Sequence, residues 1–427
     1  MAEPRLRELQ TLWFGSNETG LDNSSTLALV GRHSLSIYNW LQGYKTHGPT
    51  PRDGRHGEVA QAEAILHSRD YLNAAGNHET VLAGYRQIQL ALGCFDIGHK
   101  AAQDPALRDL WLHADGAYAE HICTKGAVGQ KAKWYSNASD VCGMDSTSKP
   151  AQWGTLDPYW NFSNPRTVDY WLNHTIEEVC TEHSGATTFY FDEVDSNWCG
   201  WWDGNHGNCS FALETQRAQM RSTYLMLTKM VTKLNDCGIV PVLATFGNFR
   251  ASRAGLHGQD PCVLDEDELA LEGLVWARFY EQWPDEFHMH HAGTTEPDRF
   301  AQIIANGVIE AQRGIPVVAH TGNYGLSPCE GDKKKFALSG THDLFDLAAF
   351  YIAMSPTWVF GVSTGWIDSA YCWRQAYDIK CGEPLNNATR TGAYTFTRNF
   401  TGCDVFVDTN SSRPNATQRL YGEIRLK

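Results

Sequence analysis

A repeated alternation of short apolar segments with helical stretches most constrains the fold of this chain. Eight segments rich in β-branched and aromatic residues predict buried strands, starting near residues 34, 80, 154, 187, 239, 274, 315 and 357. Helices, or connections that contain helices, separate these segments. Because parallel strands need such crossover connections, the pattern predicts an α/β fold with a closed (β/α)8 TIM barrel over residues 34–383.

The two ends of the chain predict a different organisation. Residues 1–33 are polar and are expected to form an N-terminal segment that wraps the outside of the barrel. Residues 384–427 contain alternating segments that predict a small C-terminal appendage of antiparallel β-strands. An appendage this short cannot hold much core of its own, so we expect it to pack on the barrel.

Composition disfavours several classes of partner. The chain has 35 basic and 49 acidic residues, a formal net charge of -14, so nucleic acid and anionic membrane surfaces are not expected to bind it. Its most apolar long window, residues 344–362, is interrupted by Asp346 and Pro356. That window predicts a buried helix followed by a strand, without membrane insertion. The oligomeric state is not predicted.

Cysteines and glycosylation motifs favour a secreted protein. The 12 cysteines lack the spacing of zinc ribbons, and three short separations would suit local disulfides: Cys123 with Cys142, Cys199 with Cys209, and Cys372 with Cys381. Asn-X-Ser/Thr motifs occur at Asn17, Asn23, Asn137, Asn173, Asn208, Asn387, Asn399, Asn410 and Asn415, and also at Asn161, which a predicted strand end could bury. Residues 1–4 open a polar segment in which no signal peptide is visible, so the sequence is expected to be a mature form or a form made for expression.

The predicted strand at residues 187–195 ends in three acids, Asp192, Glu193 and Asp195. Ligands of parallel α/β folds bind at the carboxyl ends of strands, which makes these acids the first candidates for chemistry. Strand alternation puts Asp192 and Glu193 on opposite faces, and we prefer Asp192 facing inward with Glu193 structural. The alternative is that the acids solvate a strand end or cap the next helix.

A second carboxylate, Glu281, follows the predicted strand near residue 274. Two carboxylates across a barrel mouth suit glycosidic cleavage, because one ionised group attacks or stabilises the sugar cation while the other protonates the leaving oxygen. The alternative for Glu281 is an ion pair with Arg278 or an exposed loop position.

Residues near other predicted strand ends and loops could bind substrate. The chain contains 15 Trp and 17 Tyr, and aromatic faces stack on the apolar faces of sugar rings. The candidates for substrate binding are Asn39, Trp40, Arg86, Asp157, Trp198, Asn248, His320 and Trp366.

Several short motifs resemble a known group. Residues 160–165, 169–172 and 191–195, followed by Glu281 and by a tail over residues 377–403, resemble barrel glycoside hydrolases. The most similar are poorly characterised glycosyl hydrolases and the endo-polygalactosaminidase-like group. The resemblance implies a secreted O-glycosidase for a poly- or oligosaccharide, without a cofactor. Asp192 would be the nucleophile or charge-stabilising carboxylate and Glu281 the general acid/base, while Asp195 would bind a sugar hydroxyl or tune the pair's protonation.

Two other functions remain open. A non-catalytic glycan-binding or extracellular structural protein could keep the same barrel, tryptophans and glycosylation motifs. Within residues 287–291, His288 and His290 could hold a metal together with Asp192 or Asp195. Such a pair usually lies on the first strand of barrel metallohydrolases, so no metal is expected. A Gly-X-Ser-X-Gly motif does not occur, which removes support for a hydrolase of the nucleophile-elbow type.

Overall fold

Eight parallel strands close into a barrel in the computed structural model of the protein. The structure describes residues 9–17, 20–40, 42, 57–92, 95–113, 123, 158–181, 185–192, 211–244, 277–280, 283–284, 296–322, 342–364, 368–369, 373, 375–413 and 420–427. The barrel strands are β1 (Thr11–Gly15), β2 (Leu35–Tyr38), β3 (Val81–Gln87), β4 (Thr188–Asp192), β5 (Val242–Ala244), β6 (Ala277–Tyr280), β7 (Val317–Gly322) and β8 (Val359–Thr364). Strand β1 pairs with β8, which closes the barrel and confirms the predicted fold.

The first barrel strand lies in the segment that was expected to wrap the outside. Strand β1 is buried and pairs in parallel with β2, with Leu12 opposite Leu35, so the prediction for residues 1–33 is wrong. The predicted third strand is also wrong in its described part, where Tyr159 and Trp160 form isolated antiparallel bridges outside the barrel sheet. One strand was missed and one was added before β4, so β4 is the fourth strand and β6 the sixth in either count.

Helices cover the outside of the barrel. They are α1 (Ser24–Val30), α2 (Gly57–Ala74), α3 (Asp96–Gln103), α4 (Pro165–Thr181), α5 (Leu213–Asp236), α6 (Glu296–Gln312) and α7 (His342–Ala353). Helix α4 starts with a capping asparagine followed by a proline. The Asn164 carboxamide oxygen accepts a hydrogen bond from the backbone N–H of Arg166 at 3.0 Å, and Pro165 occupies the first helical position.

A four-stranded antiparallel sheet forms the C-terminal appendage and covers α7. The two-residue strand β9 (Asp368–Ser369) pairs with β8 and precedes this sheet, whose strands are β10 (Thr389–Arg390), β11 (Thr395–Asn399), β12 (Cys403–Asp408) and β13 (Tyr421–Leu426). A Cβ added at Gly422 would lie 2.6 Å from the Phe345 Cα, so the sheet and the helix are in close contact. The Arg398 guanidinium caps the end of α7 by donating to the Met354 carbonyl at 2.7 Å. The appendage therefore completes the burial of α7.

The apolar window at residues 344–362 is α7 followed by β8, as predicted. Its carboxylate, Asp346, is buried and accepts a hydrogen bond from the Thr321 hydroxyl at 2.6 Å. Among the described helices, none is long and apolar enough to cross a membrane.

Two disulfides lie within the described residues, Cys180–Cys237 and Cys381–Cys403. The first joins the last turn of α4 to the residue after α5, and the second ties the chain before the appendage to β12. The suggested pairing of Cys372 with Cys381 is wrong, because Cys381 is already bonded to Cys403. Cys123 is also disulfide-bonded, while Cys142, Cys199, Cys209 and Cys372 lie outside the described residues.

Candidate active site

Strand β4 brings one carboxylate to the inside of the barrel. Phe191 faces outward, and its ring centroid lies 6.4 Å from that of Trp171 on α4. Tyr190 faces inward and packs edge-on against Phe14 of β1 at 5.6 Å. Asp192 has the same phase as Tyr190 and is only 7% exposed. The carboxylate therefore lies at the carboxyl end of β4 and faces the interior, as alternation predicts.

Aromatic rings fill the barrel interior beside this carboxylate. The Phe279 ring of β6 lies 4.5 Å from Tyr190 and 5.5 Å from the ring of His320 on β7. The His320 ring is in turn 5.9 Å from Phe14. These four side chains are buried, so the interior is a packed core, and a ligand would approach Asp192 from the carboxyl ends of the strands.

Among the residues that the structure describes, three side chains donate hydrogen bonds to the Asp192 carboxylate. The Tyr85 hydroxyl donates to Oδ2 at 2.5 Å, and the Gln87 amide donates to the same oxygen at 3.5 Å. The Tyr190 hydroxyl donates to Oδ1 at 3.3 Å. Strands β3 and β4 pair with Tyr85 opposite Tyr190 and Gln87 opposite Asp192, so the register itself brings these donors together.

Three of the predicted substrate-binding residues lie near the same end of the barrel. Trp40 follows β2, is half-buried, and packs on Tyr85 with a centroid distance of 4.9 Å. Asn39 is fully buried, and its backbone N–H donates to the Gly15 carbonyl at 2.9 Å. His320 is buried among the interior rings. Their contacts with a substrate stay predictions.

Arg86 does not lie at the mouth, and its predicted role in substrate binding is wrong. It has the opposite phase to Tyr85 and forms an ion pair with Glu178 on α4. Its guanidinium also donates to the Gln61 carboxamide at 2.7 Å and stacks over Phe95 at 4.8 Å. Arg86 therefore connects the outer face of β3 to the surrounding helices.

A second buried acid belongs to the same outer cluster. Burial raises the pKa of Glu58 at the start of α2, while the positive charge of Arg86 opposes that shift. Arg86 thus compensates buried negative charge between the barrel and its helices.

The sequence reasoning missed Tyr85 and Gln87. The sequence analysis placed Arg86 near the end of the predicted strand that starts near residue 80, whereas β3 continues to Gln87. The two-residue period of a strand extended to Gln87 places Tyr85 and Gln87 on one face and Arg86 on the other. Phe14 was missed because β1 was assigned to the wrapping segment.

Other predicted site residues lie outside the described part of the chain. They are the catalytic candidates Glu281 and Asp195, the substrate-binding candidates Asp157, Trp198, Asn248 and Trp366, and the rival metal ligands His288 and His290. Within the described residues, no group of three or more His, Cys, Asp or Glu side chains is arranged to hold a metal ion.

Comparison with solved structures finds proteins with a similar fold. No family model and no curated protein matches the sequence. A mutant of the trehalulose synthase MutB is 11% identical over 98% of both chains, with a TM-score of 0.52. Another MutB mutant, solved in complex with glucose, is 10% identical over 98% of both chains, with a TM-score of 0.52.

A third structure is less similar in shape. The glycoside hydrolase domain of PelA from Pseudomonas aeruginosa is 13% identical over 84% of this chain and 96% of that chain, with a TM-score of 0.42. Identities this low show the fold alone. The chain therefore shares its fold with the two MutB structures.

Proposed function

We propose that this protein is a glycoside hydrolase that cleaves O-glycosidic bonds of a poly- or oligosaccharide at the barrel mouth. The observation that carries the proposal is the Asp192 carboxylate, which faces the interior at the carboxyl end of β4. Barrel enzymes place their chemistry at this end of the strands. The shared fold supports the proposal only at the level of architecture.

In the proposed reaction Asp192 is the ionised carboxylate. It attacks the anomeric carbon or stabilises the positive charge that develops there, and Glu281 donates a proton to the departing oxygen. The sequence supports Glu281 because it follows β6 directly and is two residues beyond the inward-facing Phe279. Asp195 would bind a sugar hydroxyl or tune the protonation of the pair.

Trp40 is the proposed stacking surface for a sugar ring. It is half-buried, so part of the indole is open to a ligand, and it packs on Tyr85, which in turn holds Asp192. Indole faces bind the apolar faces of sugar rings, and neighbouring polar groups fix the orientation of a ligand.

We also propose that the protein is secreted and N-glycosylated. The two described disulfides fit an oxidising compartment. Among the described acceptor asparagines, the exposed ones are Asn23, Asn173, Asn387 and Asn399, and the partly buried ones are Asn17, Asn161 and Asn410. The remaining candidates, Asn137, Asn208 and Asn415, lie outside the described residues. A mass decrease after enzymatic deglycosylation of protein secreted by eukaryotic cells would support this proposal, and an unchanged mass would refute it.

Hydrolysis is tested by screening the purified protein on a polysaccharide panel. The variants are Asp192→Asn and Glu281→Gln, with Asp169→Asn on the exposed face of α4 as the matched control. We expect wild-type protein and the control to release reducing ends from one class of glycan. Both active-site variants should lose at least about 1,000-fold in kcat, because each removes one half of the carboxylate pair.

Two results would contradict the proposal in different ways. Turnover that survives both active-site substitutions would refute the roles of Asp192 and Glu281. Binding of a glycan without turnover by the wild-type protein would favour the non-catalytic function.

A further inference from the structure

The described donors from β3 and β4 lie at different distances from the Asp192 carboxylate. The Tyr85 hydroxyl is the shortest described donor, at 2.5 Å from Oδ2, whereas the donors from Tyr190 and Gln87 lie at 3.3 and 3.5 Å. A hydrogen bond weakens as its donor and acceptor move apart within this range. Tyr85 is therefore the donor best placed to act on the carboxylate.

The direction of the Tyr85 hydrogen bond depends on the charge of Asp192. A phenol can donate or accept, but an ionised carboxylate can only accept. Hydrogen bonds to an ionised acceptor are about twice as strong as neutral ones, so the Tyr85 hydroxyl can hold an ionised carboxylate firmly in place. Tyr85 is itself 1% exposed, which shields this bond from competing water.

The Tyr85 ring is held in place without its hydroxyl. It packs against Trp40 at 4.9 Å, Tyr190 at 5.6 Å and Phe95 at 6.4 Å. A change to phenylalanine keeps all three ring contacts and removes only the donor. The hydroxyl can therefore be tested apart from the packing of the barrel.

We propose that Tyr85 is a positioning residue, whose hydroxyl holds the Asp192 carboxylate in one orientation for its role in glycoside cleavage. The catalytic part of this inference rests on the proposed function. Gln87 is the secondary donor to the same oxygen, and it also donates to the Tyr85 hydroxyl at 3.4 Å, which links the two donors. Tyr190 contributes mainly through its ring.

The first test follows the surroundings of the Asp192 carboxylate and needs no substrate. Protein labelled with 13C at aspartate carboxyl groups is compared by NMR at one pH, and the Asp192 signal is identified by its loss in Asp192→Asn. We expect the chemical shift of this signal to change in Tyr85→Phe, because the carboxylate loses its shortest described hydrogen bond. Tyr351→Phe is the matched control, since it removes a buried phenol hydroxyl of α7 that donates to the Ile379 carbonyl at 3.0 Å, and its Asp192 signal should stay near that of the wild type.

The second test uses the glycan that the panel identifies. Tyr85→Phe should lower kcat by about 10- to 100-fold with little change in KM, because a charge-assisted hydrogen bond is lost at the reacting carboxylate. Tyr351→Phe should change kcat by less than about threefold, because the Tyr351 hydroxyl donates to the Ile379 carbonyl on the outside of the barrel.

The outcomes separate this inference from the proposed function. A changed Asp192 signal in Tyr85→Phe with no turnover by wild-type protein on any glycan would support the positioning of Asp192 and refute hydrolysis. An unchanged signal, or an equal change in Tyr351→Phe, would overturn the positioning role even in an active enzyme.

Discussion

Replacing Arg86 by methionine tests whether this side chain stabilises the fold or binds substrate. The side chain lies on the outer face of β3, where it pairs with Glu178 of α4 and donates to Gln61 of α2. Methionine keeps much of the aliphatic stem and removes the guanidinium. We expect Arg86→Met to lower the stability of the fold without changing the affinity of the folded protein for a glycan.

The expected loss follows from the burial of the pair. The Arg86 and Glu178 side chains are 3% and 14% exposed, and breaking a buried pair from one side destabilises a protein by about 3–5 kcal/mol. The substitution also removes the stacking of the guanidinium over Phe95 and Phe189, at 4.8 and 5.3 Å. The free energy of that stacking is smaller and is included in this range. We therefore expect the free energy of unfolding to fall by about 3–5 kcal/mol.

A double variant tests whether the unpaired carboxylate causes the loss. Arg86→Met with Glu178→Gln removes both charges, so it should be less destabilised than the sum of the two single variants. Some loss should remain, because Glu58 is also buried nearby and also loses the positive charge of Arg86. Methionine also cannot replace the hydrogen bond to Gln61.

Urea unfolding followed by tryptophan fluorescence measures the stability, and a binding assay with the glycan measures the function. Free energies from the linear extrapolation are compared among wild type, the two single variants and the double variant. An Arg86→Met protein with wild-type stability and greatly weakened glycan binding would refute the structural assignment.

Three further predictions concern the stability of the barrel. A Cβ at Gly361 would lie 2.6 Å from the Leu12 Cβ, so Gly361→Ala should lower the free energy of unfolding by about 1–3 kcal/mol; no loss in urea unfolding would contradict this contact. Burial, with the nearby charge of Arg32, lowers the pKa of His33 from 6.5 to about 3. The contribution of neutral His33 to stability is present above pH 6.5 and is lost as the pH falls toward 3. The loss amounts to about 2 kcal/mol between pH 7 and 5. In urea unfolding, His33→Phe should remove that part of the acid sensitivity. Replacing both Cys180 and Cys237 by alanine opens a loop with a sequence separation of 57 and should lower the unfolding free energy by about 4 kcal/mol, and an unchanged urea midpoint would contradict this.

Much of the fold could be predicted because strands of a parallel barrel are apolar on both faces. Strand β4 reads Thr-Phe-Tyr-Phe-Asp and is buried along its whole length, so its composition marks it clearly. Strand β1 has the same character over five residues, Thr-Leu-Trp-Phe-Gly, but polar residues surround it. A run this short also fits a loop, and its strand character depends on pairing with β2 and β8.

The orientation of Asp192 could be predicted for a local reason. It follows Tyr190 by two residues, and the period of a strand applies within one element. The donors to Asp192 could not be predicted, because they depend on the register between β3 and β4, which are separated by about 100 residues of sequence. The error at Arg86 has the same origin, since the end of β3 was set without knowledge of its partner.

This register has a chemical consequence for the proposed site. Gln87 lies opposite Asp192, whereas Arg86 lies opposite the outward-facing Phe191. A slip of one residue in β3 would exchange its two faces and bring a guanidinium to the carboxylate in place of neutral donors. An ion pair would offset the negative charge that a developing sugar cation needs nearby. The observed register instead gives Asp192 a phenol and an amide as donors, which can hold an ionised acid while leaving its charge available in the mouth.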